Sequence, residues 1–118
     1  MTSHQRRHER VDSLNLLSYI CVNENQDVVS QGMGRTLNVS EGGILLETHV
    51  PIDVEYPIFL SIGFQEELTE VKGKIVYSKK GDNDRWQSGI EFVMPDDDTH
   101  RIIKKYIDAF NRHHANTE

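Results

Sequence analysis

The sequence is poor in cysteine and in long hydrophobic runs, and each shortage excludes a class of protein. Its 118 residues include one cysteine, Cys21, so neither an internal disulfide nor a cysteine-cluster metal site can form. Apolar runs are short, as in Ile44-Leu45-Leu46, whereas a transmembrane helix needs roughly 20 apolar residues. The first ten residues lack the apolar segment of a secretory signal. These features predict one small cytoplasmic domain with no membrane partner.

Basic charge is also scarce, except at the N-terminus. The chain carries 13 basic and 19 acidic residues, a net charge of −6. Residues 1–10 hold three arginines against one glutamate, a net +2, and residues 11–118 hold the other 10 basic residues against 18 acidic ones, a net −8. Binding of a nucleic acid polymer needs a basic face that displaces counterions. The acidic body argues against such a partner, and the N-terminus suggests a small anionic ligand.

Common catalytic motifs are missing from the chain. It has no Walker loop, no HExxH and no GxSxG sequence. Gly32-Met33-Gly34 lacks the third glycine and the following helix of a dinucleotide-binding fingerprint, so we interpret it as a bulge or turn. We therefore predict a binding protein that is not an enzyme and that holds neither a metal nor a cofactor.

Alternation of apolar and polar residues predicts six short strands. The first runs from Ser13 to Val22, and a polar turn at 23–27 follows. The other five are Gly34–Val39, Gly43–Val50, Ile58–Gly63, Val71–Ser78 and Arg85–Val93, with hairpin loops at 65–67 and 79–84. Short strands separated by evenly spaced turns favour a small antiparallel β-barrel or sandwich.

The C-terminal segment changes to a helical period. Pro95-Asp96-Asp97-Asp98 supplies an N-cap and negative charge, which both suit the start of a helix. Five apolar residues then fall on one helical face: Ile102, Ile103, Tyr106, Ile107 and Phe110. We predict a helix over residues 95–114 that covers one side or end of the barrel, with a tail at 115–118.

Arg6, Arg7 and Arg10 form the first candidate binding motif, with an Arg-x-x-x-Arg spacing ahead of the first strand. A guanidinium makes two parallel hydrogen bonds to a phosphate or a guanine and stacks its flat face on a base. Three arginines at a terminus are also compatible with a solvated arm. Because residues 2–10 contain no apolar side chain, burial cannot offset the cost of ordering them, about 1–2 kcal/mol per residue. We expect residues 1–12 to be a flexible arm without ligand.

The second candidate motif is Asn38-Val39-Ser40-Glu41-Gly42-Gly43, at the corner between the second and third strands. Alternation places Asn38 and Ser40 on the same face. The amide offers a donor and an acceptor that match a base edge, and the hydroxyl adds a neighbouring contact. The two glycines permit positive φ and a close approach of ligand to backbone. Taken alone, the segment is also compatible with an ordinary turn.

Together, the two motifs resemble those of the PilZ domain family. The matching residues are Arg6 and Arg10, followed by Asn38, Ser40 and Gly43. The run Gly-Ile-Glu-Phe at 89–92 and the terminal helix are similar to that family as well. The resemblance implies a six-stranded antiparallel β-barrel over residues 13–94 with a C-terminal helix. It also implies binding of cyclic di-GMP, a bacterial second messenger with two phosphates and two guanines.

The resemblance also assigns roles to individual residues. It implies that the two outer arginines of the first motif contact phosphates and guanine, with Arg7 as a third contact. Asn38 and Ser40 would read a guanine edge, and Gly43 would keep the shape of the corner.

An aromatic side chain is a further candidate for contact with a guanine. Tyr77 lies near the end of a predicted strand, where some members of the family carry a tryptophan. Trp86 is the other possibility, but alternation places it on the same face as Ile90 and Phe92 and therefore in the core. We predict Tyr77 as the ligand contact.

The function implied by the resemblance is that of a receptor that offers a changed surface to an effector protein. The alternative is a PilZ-like module that binds another protein alone, for example in pilus or motility machinery. Members that do not bind the nucleotide usually lack the arginines, so the presence of both motifs favours the receptor.

Overall fold

Six strands and one C-terminal helix make up the fold. The computed structural model describes residues 16–116, and the side chains of residues 16–112. The strands are β1 (Leu16–Val22), β2 (Val28–Val39), β3 (Gly43–Thr48), β4 (Ile58–Phe64), β5 (Glu67–Lys80) and β6 (Trp86–Phe92). A 3-10 turn at Asp82–Asp84 connects β5 to β6, and the helix α1 spans Asp97–Asn116.

The strands form a closed antiparallel barrel in the order β1-β2-β3-β6-β5-β4. Pairing of β1 with β4 closes the barrel, so that each of the six strands has a hydrogen-bonded neighbour on both sides. The predicted six-stranded barrel with a C-terminal helix is confirmed.

The core fills the barrel and continues onto the helix. Alternate residues of the strands point inward and are mostly apolar, as the period-two pattern predicts, with Thr36, Thr48 and Ser88 as buried polar residues. The buried cluster contains Leu17, Tyr19, Cys21, Val39, Ile44, Leu46, Ile52, Ile58, Leu60, Ile62, Val71, Ile75, Ile90, Phe92, Ile103, Tyr106 and Phe110. Burial raises the pKa of the Cys21 thiol, which is consistent with a packing role for that residue.

The helix packs as its sequence predicts, but it spans Asp97–Asn116 and so begins and ends two residues later than the predicted 95–114. Asp96 is the N-cap, since its Oδ1 accepts a hydrogen bond from the backbone N–H of Thr99 at 2.8 Å. On the buried face, the hydroxyls of Tyr106 and Thr36 lie 2.9 Å apart and join α1 to β2. No helix within residues 16–116 is long and apolar enough to cross a membrane.

Two strands, β2 and β5, are much longer than predicted. β2 begins at Val28 rather than Gly34, and the glycines interpreted as a bulge or turn lie inside it, where Gly32 pairs with Tyr19 and Gly34 with Leu17. They make space inside the barrel, because a Cβ at Gly34 would lie 2.6 Å from Cγ of Leu46. β5 is also longer than predicted and occupies Glu67–Lys80, since polar outward residues at both ends obscured its alternation.

An ionic cluster fixes α1 to the hairpin between β4 and β5. The Glu67 carboxylate lies 2.8 Å from a guanidinium nitrogen of Arg101 and 2.9 Å from Nζ of Lys105. Arg101 also contacts Asp98, at 2.9 Å. Hydrogen bonds from Arg101 and then Lys105 lower the pKa of Glu67 from its ordinary 4.5 to about 2.

We expect Glu67→Gln to lower the free energy of unfolding at neutral pH, with an effect that disappears in acid. The depressed folded-state pKa means that the carboxylate stabilises the fold above about pH 4.5 and loses this contribution as the pH falls towards about 2. Urea midpoints of variant and wild type should therefore differ at pH 7 and converge near pH 2. The difference should also shrink in high salt, because the cluster is partly exposed.

Glu66→Gln is the matched control for this experiment. Glu66 is the adjacent residue in the same hairpin, is exposed, and makes no ion pair within residues 16–112. Its replacement should leave the urea midpoint unchanged at both pH values. A deficit of Glu67→Gln that keeps its size at pH 2 would show that packing, not charge, is responsible.

Candidate functional site

An open groove on the outside of the barrel brings together four of the predicted site residues. Asn38 from β2, Ser40 and Gly43 from the following corner, and Tyr77 from β5 line this groove, whose volume is about 440 Å³. The remaining three, Arg6, Arg7 and Arg10, lie outside the described residues.

Asn38 points outward because of a β-bulge at Leu37. Upstream of the bulge, Gly34 and Thr36 are buried, so strict alternation would turn Asn38 into the core. The pairing with β3 instead skips Leu37, because Thr36 pairs with Leu46 and Asn38 pairs with the adjacent Leu45. The extra residue inverts the alternation, and it leaves Asn38 exposed.

Tyr77 points outward because of a second bulge, at Val76 in β5. Ile75 is buried and pairs with Ile90, and the next pair joins Tyr77 to Gly89. Ser78 then takes an inward position, where it accepts a hydrogen bond at 3.0 Å from the buried hydroxyl of Ser88. Tyr77 is left on the outer surface with 42% of its area exposed. Each bulge therefore places one side chain that could contact a ligand, Asn38 or Tyr77, in the groove.

The corner between β2 and β3 is held by its own backbone. The Ser40 N–H donates to the Gly43 carbonyl at 2.9 Å, and the Phe92 N–H donates to the Gly42 carbonyl at 2.9 Å. Ser40 is exposed like Asn38, with the buried Val39 between them, as the alternation predicts. The same corner reaches α1 through Glu41 Oε1, which lies 2.9 Å from Nε2 of His100.

Gly42 and Gly43 do not use the positive φ that glycine permits, since no glycine among residues 16–116 adopts it. Gly43 is required for a different reason. A Cβ built there would overlap the backbone carbonyl oxygen of Ile90, so only a glycine allows β3 to start this close to β6. Gly42 has open space around its Cα, with no atom within 4 Å of the position that a Cβ would occupy.

The polar groups of the groove suit a hydrogen-bonding ligand. Oδ1 of Asn38 accepts the Val39 N–H at 2.9 Å, which orients the amide and leaves its Nδ2 group as a donor for a ligand. The Ser40 hydroxyl is exposed and can donate or accept. No group of His, Cys, Asp and Glu side chains suited to a metal ion occurs in the described part of the chain.

Tyr77 supplies an aromatic ring at the edge of the groove. The ring lies against Gly89, where a Cβ would collide with it, so the absent side chain of Gly89 makes room for the ring. Nζ of Lys79 lies 5.7 Å from the ring centroid, within the range of a cation–π contact. Trp86 is not part of this groove: it is half-buried at the first position of β6 and lies outside the core cluster in which we expected it.

Gly89, Lys79 and Glu91 are residues of this site that the sequence reasoning did not single out. Gly89 and Glu91 line the groove from β6, and Lys79 approaches it through Tyr77. Alternation along β6 was the available signal, because it places Gly89 and Glu91 on the face opposite the buried Ile90.

Comparisons with known proteins agree with this fold and these motifs. The family model of the PilZ domain matches residues 4–109, a segment that includes both candidate motifs. No curated protein matches the sequence significantly.

Two solved structures share the fold. The crystal structure of the PilZ domain of CeSA, from a cellulose-synthesizing bacterium, has 12% sequence identity and a TM-score of 0.57, and the match covers 81% of this chain and 93% of that one. The structure of K. pneumonia MrkH in its apo state has 15% identity and a TM-score of 0.57, and the match covers 86% of this chain and 49% of that one.

Gly43→Ala should destabilise the fold by about 1–3 kcal/mol, the usual cost of overpacking, because the new methyl group forces β3 away from β6. Gly42→Ala is the matched control, and we expect it to stay within about 0.5 kcal/mol of wild type. Chemical unfolding of the three proteins measures both effects. Equal stability of the two variants would contradict the close approach at Gly43.

Proposed function

Because the chain belongs to the PilZ domain family, we propose that it is a cytoplasmic receptor for cyclic di-GMP that has no catalytic role. The observation that carries the proposal is the convergence of Asn38, Ser40, Gly43 and Tyr77 on one groove. An amide donor, a hydroxyl and an exposed ring are groups that can hydrogen-bond to and stack on a purine base.

The position of β1 supports a role for the arginine motif at this groove. Leu16 pairs with Arg35, and β1 runs antiparallel to β2, so the chain enters the barrel beside the half of β2 that contains Asn38. Arg10 precedes Leu16 by six residues, a stretch that spans at most about 20 Å when extended. Arg6 and Arg10 are therefore attached where they can reach a ligand in the groove.

The charge of the groove makes the arginines necessary for a ligand with two phosphates. Lys79 lies against the ring of Tyr77, but no lysine or arginine is among the described residues that line the groove, and Glu91 contributes a negative charge. Charge-assisted hydrogen bonds from Arg6, Arg7 and Arg10 would supply the missing positive charge. In this proposal, the motif holds the phosphates and the groove holds a base.

The signal would be transmitted by ordering of residues 1–12. Exposed ion pairs with the acidic body contribute at most about 1 kcal/mol each, too little to order an arm whose residues 2–10 have no apolar side chain. Two ligand phosphates add bonds that offset this cost. The ordered arm and the bound nucleotide then form a new surface for an effector protein, as in other order–disorder switches.

Titration calorimetry with cyclic di-GMP tests the proposed function. We expect a dissociation constant of micromolar or below, which corresponds to about −8 kcal/mol at 1 μM. GTP and cyclic AMP should bind far more weakly, because neither presents two guanines. Absence of binding at about 100 μM cyclic di-GMP would contradict the receptor and favour the module that binds only protein.

Arg10→Ala in the same experiment tests the arginine motif. Loss of a hydrogen bond to a charged group costs roughly 1.5–3 kcal/mol, so the affinity should fall about 10- to 150-fold. Arg112→Ala, an exposed arginine on α1, is the matched control and should bind like wild type. Wild-type affinity should also weaken as salt rises. An Arg10→Ala variant that binds like wild type would exclude the motif from the site.

A further inference from the structure

Glu91 is the one charged residue among the described residues that line the groove. It lies on the outward face of β6, where it pairs with Gly43 of β3 on one side and Lys74 of β5 on the other. Because Gly43 has no side chain, nothing on that residue stands between the Glu91 carboxylate and the corner that carries Ser40. A carboxylate repels the phosphates of an anionic ligand, so its presence in this groove calls for an explanation.

Glu91 differs from the ion-paired glutamates of the barrel surface. Glu41, Glu47 and Glu67 each have a cationic or histidine side chain within 4 Å. Glu91 has no such ion pair among residues 16–112, although Lys74 is its cross-strand neighbour. Its two carboxylate oxygens are therefore available as acceptors for a ligand.

We propose that Glu91 selects guanine over adenine by accepting hydrogen bonds from N1–H and the N2 amino group of a base that lies in the groove. This inference rests on the proposed function and adds its specificity. Guanine presents two neighbouring donors on its Watson–Crick edge, which match the two oxygens of a carboxylate. Adenine presents an acceptor at N1, which a carboxylate repels. The Nδ2 group of Asn38 can donate to an acceptor of the same base.

The charge of Glu91 also orients the ligand. A carboxylate repels phosphates, so the phosphates lie away from β6 and the base lies towards it. Leu16, the first described residue after the arginine motif, pairs with β2, which is separated from β6 by β3. In this proposal the base of the nucleotide lies towards β6, and its phosphates lie towards the β2 side of the groove, where the arginines could bind them.

Glu91→Gln tests this role through the ratio of affinities for cyclic di-GMP and cyclic di-AMP. A glutamine can donate to N1 of adenine and accept from its N6 amino group, and it removes repulsion of phosphates from both ligands. We expect the ratio of the affinity for cyclic di-GMP to the affinity for cyclic di-AMP to be about 10- to 150-fold lower in Glu91→Gln than in wild type. The ratio is informative because a general loss of fold or a general gain of charge attraction changes both affinities together.

Glu70→Gln is the matched control. Glu70 is an exposed outward residue of β5 that does not line the groove, so its replacement should keep the wild-type ratio. An unchanged ratio in Glu91→Gln, including the case in which both affinities fall equally, would overturn the role of Glu91 while the receptor function stands. A wild-type protein that binds neither dinucleotide would overturn the receptor function itself, and the role of Glu91 with it.

Discussion

Two β-bulges, at Leu37 and Val76, determine which side chains the barrel presents to solvent at the groove. Each strand of a closed barrel is hydrogen-bonded on both edges, so it cannot rotate a single residue outward without breaking its ladders. One extra residue in β2 and one in β5 invert the alternation while the partner strands β3 and β6 continue without interruption. Asn38 and Tyr77 become surface residues as a result, and the core is completed by Val39 and by the Ser78–Ser88 pair.

The pairing of β3 with β6 forms the floor between these two bulges. Gly43 allows the strands to approach at the corner, and Gly89 makes room for the ring of Tyr77. The two glycines thus act in different ways: Gly43 permits close backbone packing, and Gly89 is covered by an aromatic side chain. The remaining outward group of β6 at the groove is the Glu91 carboxylate, on the residue that pairs directly with Gly43. The paired backbone of β3 and β6 therefore determines which polar and aromatic groups the groove offers to a ligand.

The sequence was sufficient for the fold because the periodicities are clear. Period two indicated the barrel strands, and the Asp96 cap with its following apolar face indicated the helix. That Asn38 and Ser40 lie on the same face was also predicted, since alternation holds over the residues that follow the bulge, but the bulge that turns this face outward was not. The outward position of Tyr77 was harder to predict. Its signal is the apolar run Ile75-Val76-Tyr77, which cannot alternate, and a run of this kind does not by itself show which residue is extra.

Other features depended on contacts that a linear pattern does not contain. The reason for Gly43 lies in the carbonyl of Ile90, far away in sequence, and the place of Gly32 and Gly34 in β2 depends on Tyr19 and Leu46. Trp86 shares the inward side of β6, but its position at the start of the strand leaves it half-buried. In each case the deciding neighbour belongs to another strand.

Amide hydrogen exchange with and without cyclic di-GMP tests most directly whether the arginine motif and the groove form one site. We expect saturating ligand to slow exchange both at residues 5–12 and at the corner 38–43, and to leave exchange in β4 (Ile58–Phe64) unchanged. Protection of the corner alone, or slow exchange at residues 5–12 already in the free protein, would contradict ordering of the arm by the ligand. Protection at neither place would contradict the site itself.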